Sequence, residues 1–262
     1  LKVERFENLR VIRTFILPLK SRGFGSRLLL MGVFAISSFF ALPFVGKVDA
    51  IWGSSWLPAT VYGRVRRRPV ALNVDDLTLE DVLRLGLIKK NLVLKVAEFV
   101  YGIFYRLGDA ITPISPGYVE TICEKYGVDE SRVHVVEVGV DLNIFRNEIV
   151  HRSRGKGFKV LYAGVLGVGY DFEQIFRAAK IIEKEERDVE FVIHGGGESL
   201  EYVRKRIREL GLTNVALSDK LFSSRREVAS LLNDADVLIL PLRDYHGPYL
   251  GIPSKLYEYQ AV

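Results

Sequence analysis

Apolar positions along the chain follow two periods in turn. Short runs of consecutive or alternating aliphatic residues are separated by stretches in which apolar residues recur every three or four positions. That rhythm predicts strands alternating with helices, hence an α/β fold with parallel sheets. In the first half, Leu9–Phe15 reads as a strand and Leu28–Leu42 as an apolar helix. Val48–Trp52 reads as a short buried strand closed by Gly53-Ser54-Ser55, and Pro69–Val74 as a strand ending at Asp75-Asp76. Leu92–Leu107 is expected to be a long helix, Ala110–Ile114 a strand, Ser115-Pro116-Gly117 the turn that opens a helix through Tyr126, and Arg132–Val136 a further strand. Between Arg146 and Gly157 apolar residues thin out and charges take over, as in a linker. The rhythm then restarts. Strands are expected at Phe158–Gly164, Val189–His194, Asn214–Ser218 and Val237–Leu242, and helices at Phe172–Glu186, Ser199–Leu210 and Arg226–Asn233, with a last helix beginning near Pro253. The expected organisation is a domain over 1–145, a linker over 146–157 and a second domain over 158–262.

A chain of 262 residues has room for two such domains, and a hydrophobic content of 48% suffices to fill their cores. The net charge of +5 fits an anionic substrate or a membrane surface as well as nucleic acid, so it selects none of them. Cys123 is the single cysteine, which excludes an internal disulfide framework and points to a reducing compartment, so a cytoplasmic location is expected. Scarce Gln, Met and Cys beside abundant Lys, Arg and Glu have the flavour of a thermophile. Leu28–Gly46 is uncharged and reaches the lower length limit for a membrane span, but Ser37, Ser38 and Pro43 interrupt it; a buried or membrane-facing helix is expected. A signal peptide is not expected, since no charged stretch with a small-residue cleavage site opens the sequence, and a start at Leu1 rather than Met reads as a missing N-terminus. Arg64, Arg66, Arg67 and Arg68 form the strongest basic cluster. Solvated surface is its plain reading, and phosphate or anionic-lipid contact on the inner face of the membrane its sharper one. Aromatics do not interleave it, so nucleic acid is not an expected partner.

The richest chemistry lies at the end of the chain. Gly247-Pro248-Tyr249-Leu250-Gly251-Ile252-Pro253-Ser254-Lys255-Leu256-Tyr257-Glu258 follows an apolar strand. A small-residue turn there lets a diphosphate approach the backbone, and the following helix aims free N–H groups at it. Lys255 and Glu258, three apart, share a helix face, so one meets phosphate while the other accepts from hydroxyls. This pattern suggests a nucleotide-sugar site. Glycines at the strand exits (Gly164, Gly167 and Gly169, then Gly195–Gly197, then Gly247 and Gly251) mark the sheet edge where ligands bind in open parallel sheets. Gly195-Gly196-Gly197-Glu198 lacks the spacing of a dinucleotide loop, and a nicotinamide cofactor is not expected. Asp75-Asp76 and Glu80-Asp81 suit metal ligation, acid–base work or a solvated loop and helix start. The four histidines (His134, His151, His194, His246) are scattered, so no metal is expected.

These residues together resemble a known family. His134–Phe145 is similar to the "hvIPNGVDlxxF" segment of glycosyltransferase family 4, and the end of the chain to its "aDvxlxPl … PsKlxEYmA" segment. Tyr162-Ala163-Gly164 and His194–Glu198 stand where that family has its "yaG" and "GdGpe" strand exits. Asp76–Glu80 with Leu85-Gly86-Leu87 resembles "DlwpE … lGl", and Ala110–Gly117 resembles "adaivvlSpg", a pairing typical of the O-antigen L-fucosamine-transferase-like branch. The resemblance implies the GT-B architecture of two Rossmann-like domains facing across a cleft, a nucleotide-sugar donor on the C-terminal domain, and a glycan or lipid-linked acceptor on the N-terminal one. It also implies a retaining hexosyl- or hexosaminyltransferase without metal or other cofactor. Carried over, Glu258 bonds the donor ribose, Gly251, Ile252, Pro253 and Ser254 cradle the diphosphate beside Gly164 and Gly196, and Lys220, Leu221 and Phe222 hold the nucleobase by main-chain groups. Lys255 and Arg243 are the nearest cations for the leaving diphosphate, and Asp76 and Glu80 would face the cleft to position acceptor hydroxyls.

The chain departs from the pattern in places. Leu250 stands eight residues before Glu258 where many members carry a carboxylate, and Val165–Tyr170 lacks the usual Arg…Lys pair. The family pattern also extends by a strand and glycine loop before Leu1, and by a strand and helix after Val262. A catalytically idle nucleotide-sugar-binding protein is the first alternative, and a membrane-associated adaptor resting on the arginine cluster the second.

Overall fold

A computed structural model describes residues 1–18, 24–54, 56–84, 86, 91–148, 157–220, 222, 224–243 and 251–262. The chain divides into two compact units, Leu1–Glu137 and Val138–Val262. The division falls eight residues before the expected boundary, because Phe145 is packed under Leu161, Ala163, Ala229 and Leu232 of the second unit. Within the expected linker, Arg146–Glu148 is tied to the same unit: Asn233 donates to the Arg146 carbonyl at 3.1 Å and accepts from the Glu148 N–H at 2.8 Å. Residues 149–156 of that linker lie outside the described residues.

The first unit opens with an antiparallel hairpin, β1 (Lys2–Phe6) and β2 (Leu9–Arg13), followed by α1 (Phe24–Ala41). Only β2 was expected; β1 is dominated by charged residues and has no clear apolar face. No described helix is long and apolar enough to cross a membrane. A three-stranded parallel sheet follows in sequential order, β3 (Ile51–Gly53), β4 (Val70–Val74) and β5 (Ala110–Pro113). Between the strands run α2 (Trp56–Arg66), α3 (Thr78–Arg84) and α4 (Leu92–Leu107). α2 was not foreseen: Pro58 is tolerated in its first turn, and Gly63 inside it lies hard against Val70 where no side chain would fit. Asn91 caps α4 by accepting the Leu94 N–H at 2.9 Å. α5 (Gly117–Glu120) continues as a π turn over Thr121–Lys125. The strand expected at Arg132–Val136 reduces to a bridge between Val133 and Ile111, extended by N–H bonds from His134 to Ile111 and from Val136 to Pro113. Alternation in β4 sends Val70, Leu72 and Val74 into the core with Ile111, Leu77 and Tyr105.

The second unit is a four-stranded, all-parallel sheet in the order β8-β7-β6-β9, where β6 is Phe158–Ala163, β7 Val189–His194, β8 Val215–Ser218 and β9 Val237–Leu238. α6 (Glu173–Lys184), α7 (Leu200–Leu210), α8 (Arg225–Asn233) and α9 (Ser254–Ala261) connect or follow them. Period-two alternation in β6 feeds two cores. Val160 and Tyr162 pack with Phe172, Phe176, Ile193 and Val203 on one face, while Leu161 and Ala163 pack with Phe145, Ala229, Leu232 and Tyr259 on the other. The strand expected at Val237–Leu242 pairs only at Val237 and Leu238. Ile239 still donates to Leu161, but Pro241 has no N–H, and its carbonyl turns to accept from Asp171 at 2.8 Å.

Candidate functional site

In the second unit the carboxyl ends of β6 and β7 form one continuous edge, and glycine makes it possible. Gly164, Gly195 and Gly197 adopt φ of +145°, +145° and +152°. The Gly164 N–H donates to His194 and the Leu166 N–H to Gly196, both at 2.9 Å, so the two exit loops run side by side. A Cβ on Gly195 would fall inside the Gly164 carbonyl, and one on Gly197 would come within 2.5 Å of the Leu166 oxygen.

Helix α9 delivers side chains to this edge. It starts at Ser254 with Pro253 in extended conformation at its N-cap, and among the described residues no side-chain cap bond closes its first turn. Its angle is fixed by Tyr259, whose buried hydroxyl donates to the Ala163 carbonyl at 2.9 Å and accepts the Ala163 N–H at 3.0 Å. Lys255 therefore lies directly over Gly164, where a Cβ would collide with its ammonium. Its Nζ donates to the Tyr162 hydroxyl at 3.0 Å and sits 4.7 Å and 4.5 Å from the ring centres of Tyr162 and Tyr170. The Tyr162 hydroxyl passes its own hydrogen to the Val165 carbonyl at 2.7 Å. Among the described residues no carboxylate forms an ion pair with Lys255. Burial lowers its pKa from 10.5 to about 8, against an opposing pull from Glu258.

Glu258 is one turn further on. Its Oε1 accepts from Arg225 at 2.8 Å, and the Arg225 guanidinium lies 5.0 Å from the Phe145 ring centre. Beside this, His194 stacks on Phe222 at 4.3 Å and 25°, with its Nε2 at 2.9 Å from the Lys220 carbonyl. Burial holds His194 below its ordinary pKa, so the neutral ring with hydrogen on Nε2 suits this contact. These residues open into a pocket of ≈ 380 Å³ also lined by Glu227, Ser230, Leu231 and Asp234. Arg243 is exposed; its N–H bonds Gly169 at 3.2 Å, next to the Tyr170 that carries Lys255.

The structure thus gathers Gly164, Gly196, Lys220, Phe222, Lys255, Glu258 and the turn Gly251–Ser254 on one sheet edge. Leu221 lies outside the described residues. The parts played by Tyr162, Tyr170, Tyr259 and Arg225 were not among the sequence expectations. Tyr162 and Tyr259 fall within the matched motifs but look like core residues by periodicity, and Arg225 looks like a helix-surface cation, so no role was expected of them.

Asp76 and Glu80 belong to the first unit. Asp76 follows β4 and lines a pocket of ≈ 180 Å³ with Ser54, Asn73, Asp75, Thr78, Tyr101 and Tyr105. Burial and then the neighbouring Asp75 raise its pKa, and burial raises that of Asp81 to about 6. Glu80 does not face open space, contrary to expectation. It is buried, and its Oε1 accepts from Lys125 at 2.8 Å and Tyr126 at 2.7 Å. A carboxylate engaged in this way braces α3 against the π turn and has little to offer a substrate.

Residues 144–262 match the family model of the glycosyl transferases group 1. A mannosylfructose-phosphate synthase from Agrobacterium fabrum (strain C58 / ATCC 33970) is 23% identical over 157 residues, which are 54% of this chain and 34% of that protein. Among solved structures, sucrose-phosphate synthase from Thermosynechococcus elongatus superposes with a TM-score of 0.67 at 17% identity, over 92% of this chain and 62% of that one. Anabaena HepE in complex with UDP and glucose gives 0.59 at 13% identity, over 79% and 56%. The chain spans about a third of the curated relative's length and under two thirds of either solved structure. The group 1 glycosyltransferase match thus covers the whole glycine-lined edge and α9, and the structural likeness extends the shared α/β fold to most of the chain.

Proposed function

We propose that this chain carries the donor site of a retaining glycosyltransferase that moves a hexose or hexosamine from a nucleotide-diphosphate sugar to a glycan or lipid-linked acceptor. The supporting observation is the Lys255 ammonium, held over Gly164 at the uncapped start of α9 without a carboxylate partner among the described residues. In this reading the diphosphate lies against Gly251–Ser254 and the first N–H groups of α9, which suit an anion. Lys255, with Arg243 as a second cation, meets the charge that grows on the departing phosphate. Glu258, oriented by Arg225, accepts from ribose hydroxyls, and the base lies by Lys220–Phe222 beside His194. UDP in the complex of the HepE neighbour makes UDP-sugars the first donors to test.

Asp76 is the acceptor-side residue of this proposal, in a GT-B arrangement of two Rossmann-like domains across a cleft. No metal or other cofactor has a part in it. We place the protein in the cytoplasm, with peripheral membrane contact where the acceptor is lipid-linked. A thermal-shift panel of UDP- and GDP-sugars tests the donor site, because specific binding raises stability by mass action. A rise with one sugar of the panel is expected; none across the panel counts against the proposal. The absence of cations in Val165–Tyr170 favours one second reading, a protein that binds the donor without turning it over. Release of free nucleotide with an acceptor extract separates the two.

A further inference from the structure

The arginine cluster plays no part in the donor site, yet the fold gives it a defined shape. α2 ends at Arg66, and the chain turns through Arg67 and Arg68 into β4. Arg67 adopts φ +53°, the left-handed conformation that helix ends usually give to glycine, and the Arg68 N–H closes the turn on the Gly63 carbonyl at 2.9 Å. Arg64, Arg67 and Arg68 then line a hollow of ≈ 370 Å³ with Gly63, Pro69 and Asp109. It lies where β4 and β5 begin, at the sheet edge opposite Asp75 and Asp76.

Charge in the hollow is not balanced. Asp109 is the one carboxylate lining it among the described residues, 3.7 Å from Arg64, and its other oxygen accepts the Val70 N–H at 2.8 Å. Arg64 also donates to the Leu107 carbonyl, and Arg66 lies 5.6 Å from the Tyr62 ring centre. Among the described residues, the Arg67 and Arg68 side chains have neither an ion pair nor a hydrogen bond. Two exposed guanidinia with free forks, joined by a third, match the oxygens of one phosphate group better than a single carboxylate. Tyr62, the ring beside the cluster, is buried beneath Arg66 and offers no face to a nucleic-acid base.

We propose that this hollow binds a phosphate ester, carried either by a small soluble molecule or by a lipid headgroup. The test uses the full chain and two probes: glycerol 3-phosphate by calorimetry, and phosphatidylglycerol vesicles by cosedimentation against phosphatidylcholine. Wild type is expected to bind at least one probe, more weakly as salt rises. The double substitution Arg67→Gln/Arg68→Gln should weaken that binding about 25-fold, at roughly fivefold per charge. Arg67→Gly suits the left-handed backbone, so it should keep or raise the unfolding temperature while losing about fivefold in binding. Binding of glycerol 3-phosphate assigns a soluble ester, and binding of vesicles alone assigns a headgroup. Failure of wild type to bind either probe above the phosphatidylcholine control overturns the proposal, as does unchanged binding by the folded double variant.

Discussion

Replacing Lys255 with methionine separates the requirements of the donor site from those of the fold. Methionine keeps the apolar stem and places a polarisable sulfur against the Tyr162 and Tyr170 rings, but removes the buried charge. In the free protein that charge is a burden, since burial lowers its pKa from 10.5 to about 8. A drop of that size corresponds to roughly 3 kcal/mol at full burial, and about 1–2 kcal/mol once screened by the solvent that still reaches the group. The sign follows from proton counting. Between pH 8 and 10.5 the unfolded chain holds the proton and the folded chain does not, so stability rises with pH across that window. Below pH 8 the cost is present in full, and above 10.5 it is gone. Denaturant unfolding of both proteins at pH 7.5, 9 and 10.5 should show wild type gaining about 1–2 kcal/mol on Lys255→Met from the first pH to the last. The same substitution should lower kcat about 10²- to 10³-fold with a smaller change in KM, as expected for a donor aimed at charge that develops in the transition state. A gap that stays constant or widens with pH refutes the buried-ammonium reasoning; a defect confined to KM reassigns Lys255 to ground-state binding.

Other expectations rest on separate parts of the site. Glu258→Ala should weaken nucleotide binding at least tenfold by calorimetry, through loss of a charge-assisted acceptor, while altering stability by less than about 1 kcal/mol because its Arg225 partner is exposed. Gly195→Ala should destabilise the second unit by more than about 3 kcal/mol, seen as loss of its cooperative unfolding transition, because the new Cβ has no space beside Gly164. Tyr259→Phe strips the Ala163 N–H and carbonyl of a buried partner and should cost about 1–3 kcal/mol in denaturant unfolding. Asp81, with its pKa raised from 3.8 to about 6, makes stability fall as pH rises through that interval; Asp81→Asn should flatten the slope and add about 1 kcal/mol at pH 7 in the same assay.

Much of the second unit was legible in the sequence, because its central strands β6 and β7 are buried on both faces and α6, α7 and α8 are strongly amphipathic. β7 matched to the residue, and α4 of the first unit did too. The hairpin strand β1 was hidden by charged residues on both its faces, and α2 by Pro58 and Gly63, which read as punctuation until their packing is known. In the site, the Lys255–Glu258 spacing and the strand-exit glycines were visible as chemistry. What could not be read was which partners those groups take. Glu80 shares its motif with Asp76, yet Tyr126 and Lys125, far along the chain, draw it into the core. Tyr162 and Tyr170, which hold Lys255, come together only when β6 and its exit loop fold back.

The central claim is that the start of α9 and the glycine edge of β6 and β7 hold the diphosphate of a nucleotide sugar. Calorimetric titration of the full chain with UDP and GDP, beside uridine and guanosine, tests it most directly. The account predicts that one diphosphate binds, that its nucleoside binds at least tenfold more weakly, and that Lys255→Met removes most of that difference. Equal affinity for nucleotide and nucleoside, or a difference that survives in Lys255→Met, would contradict it.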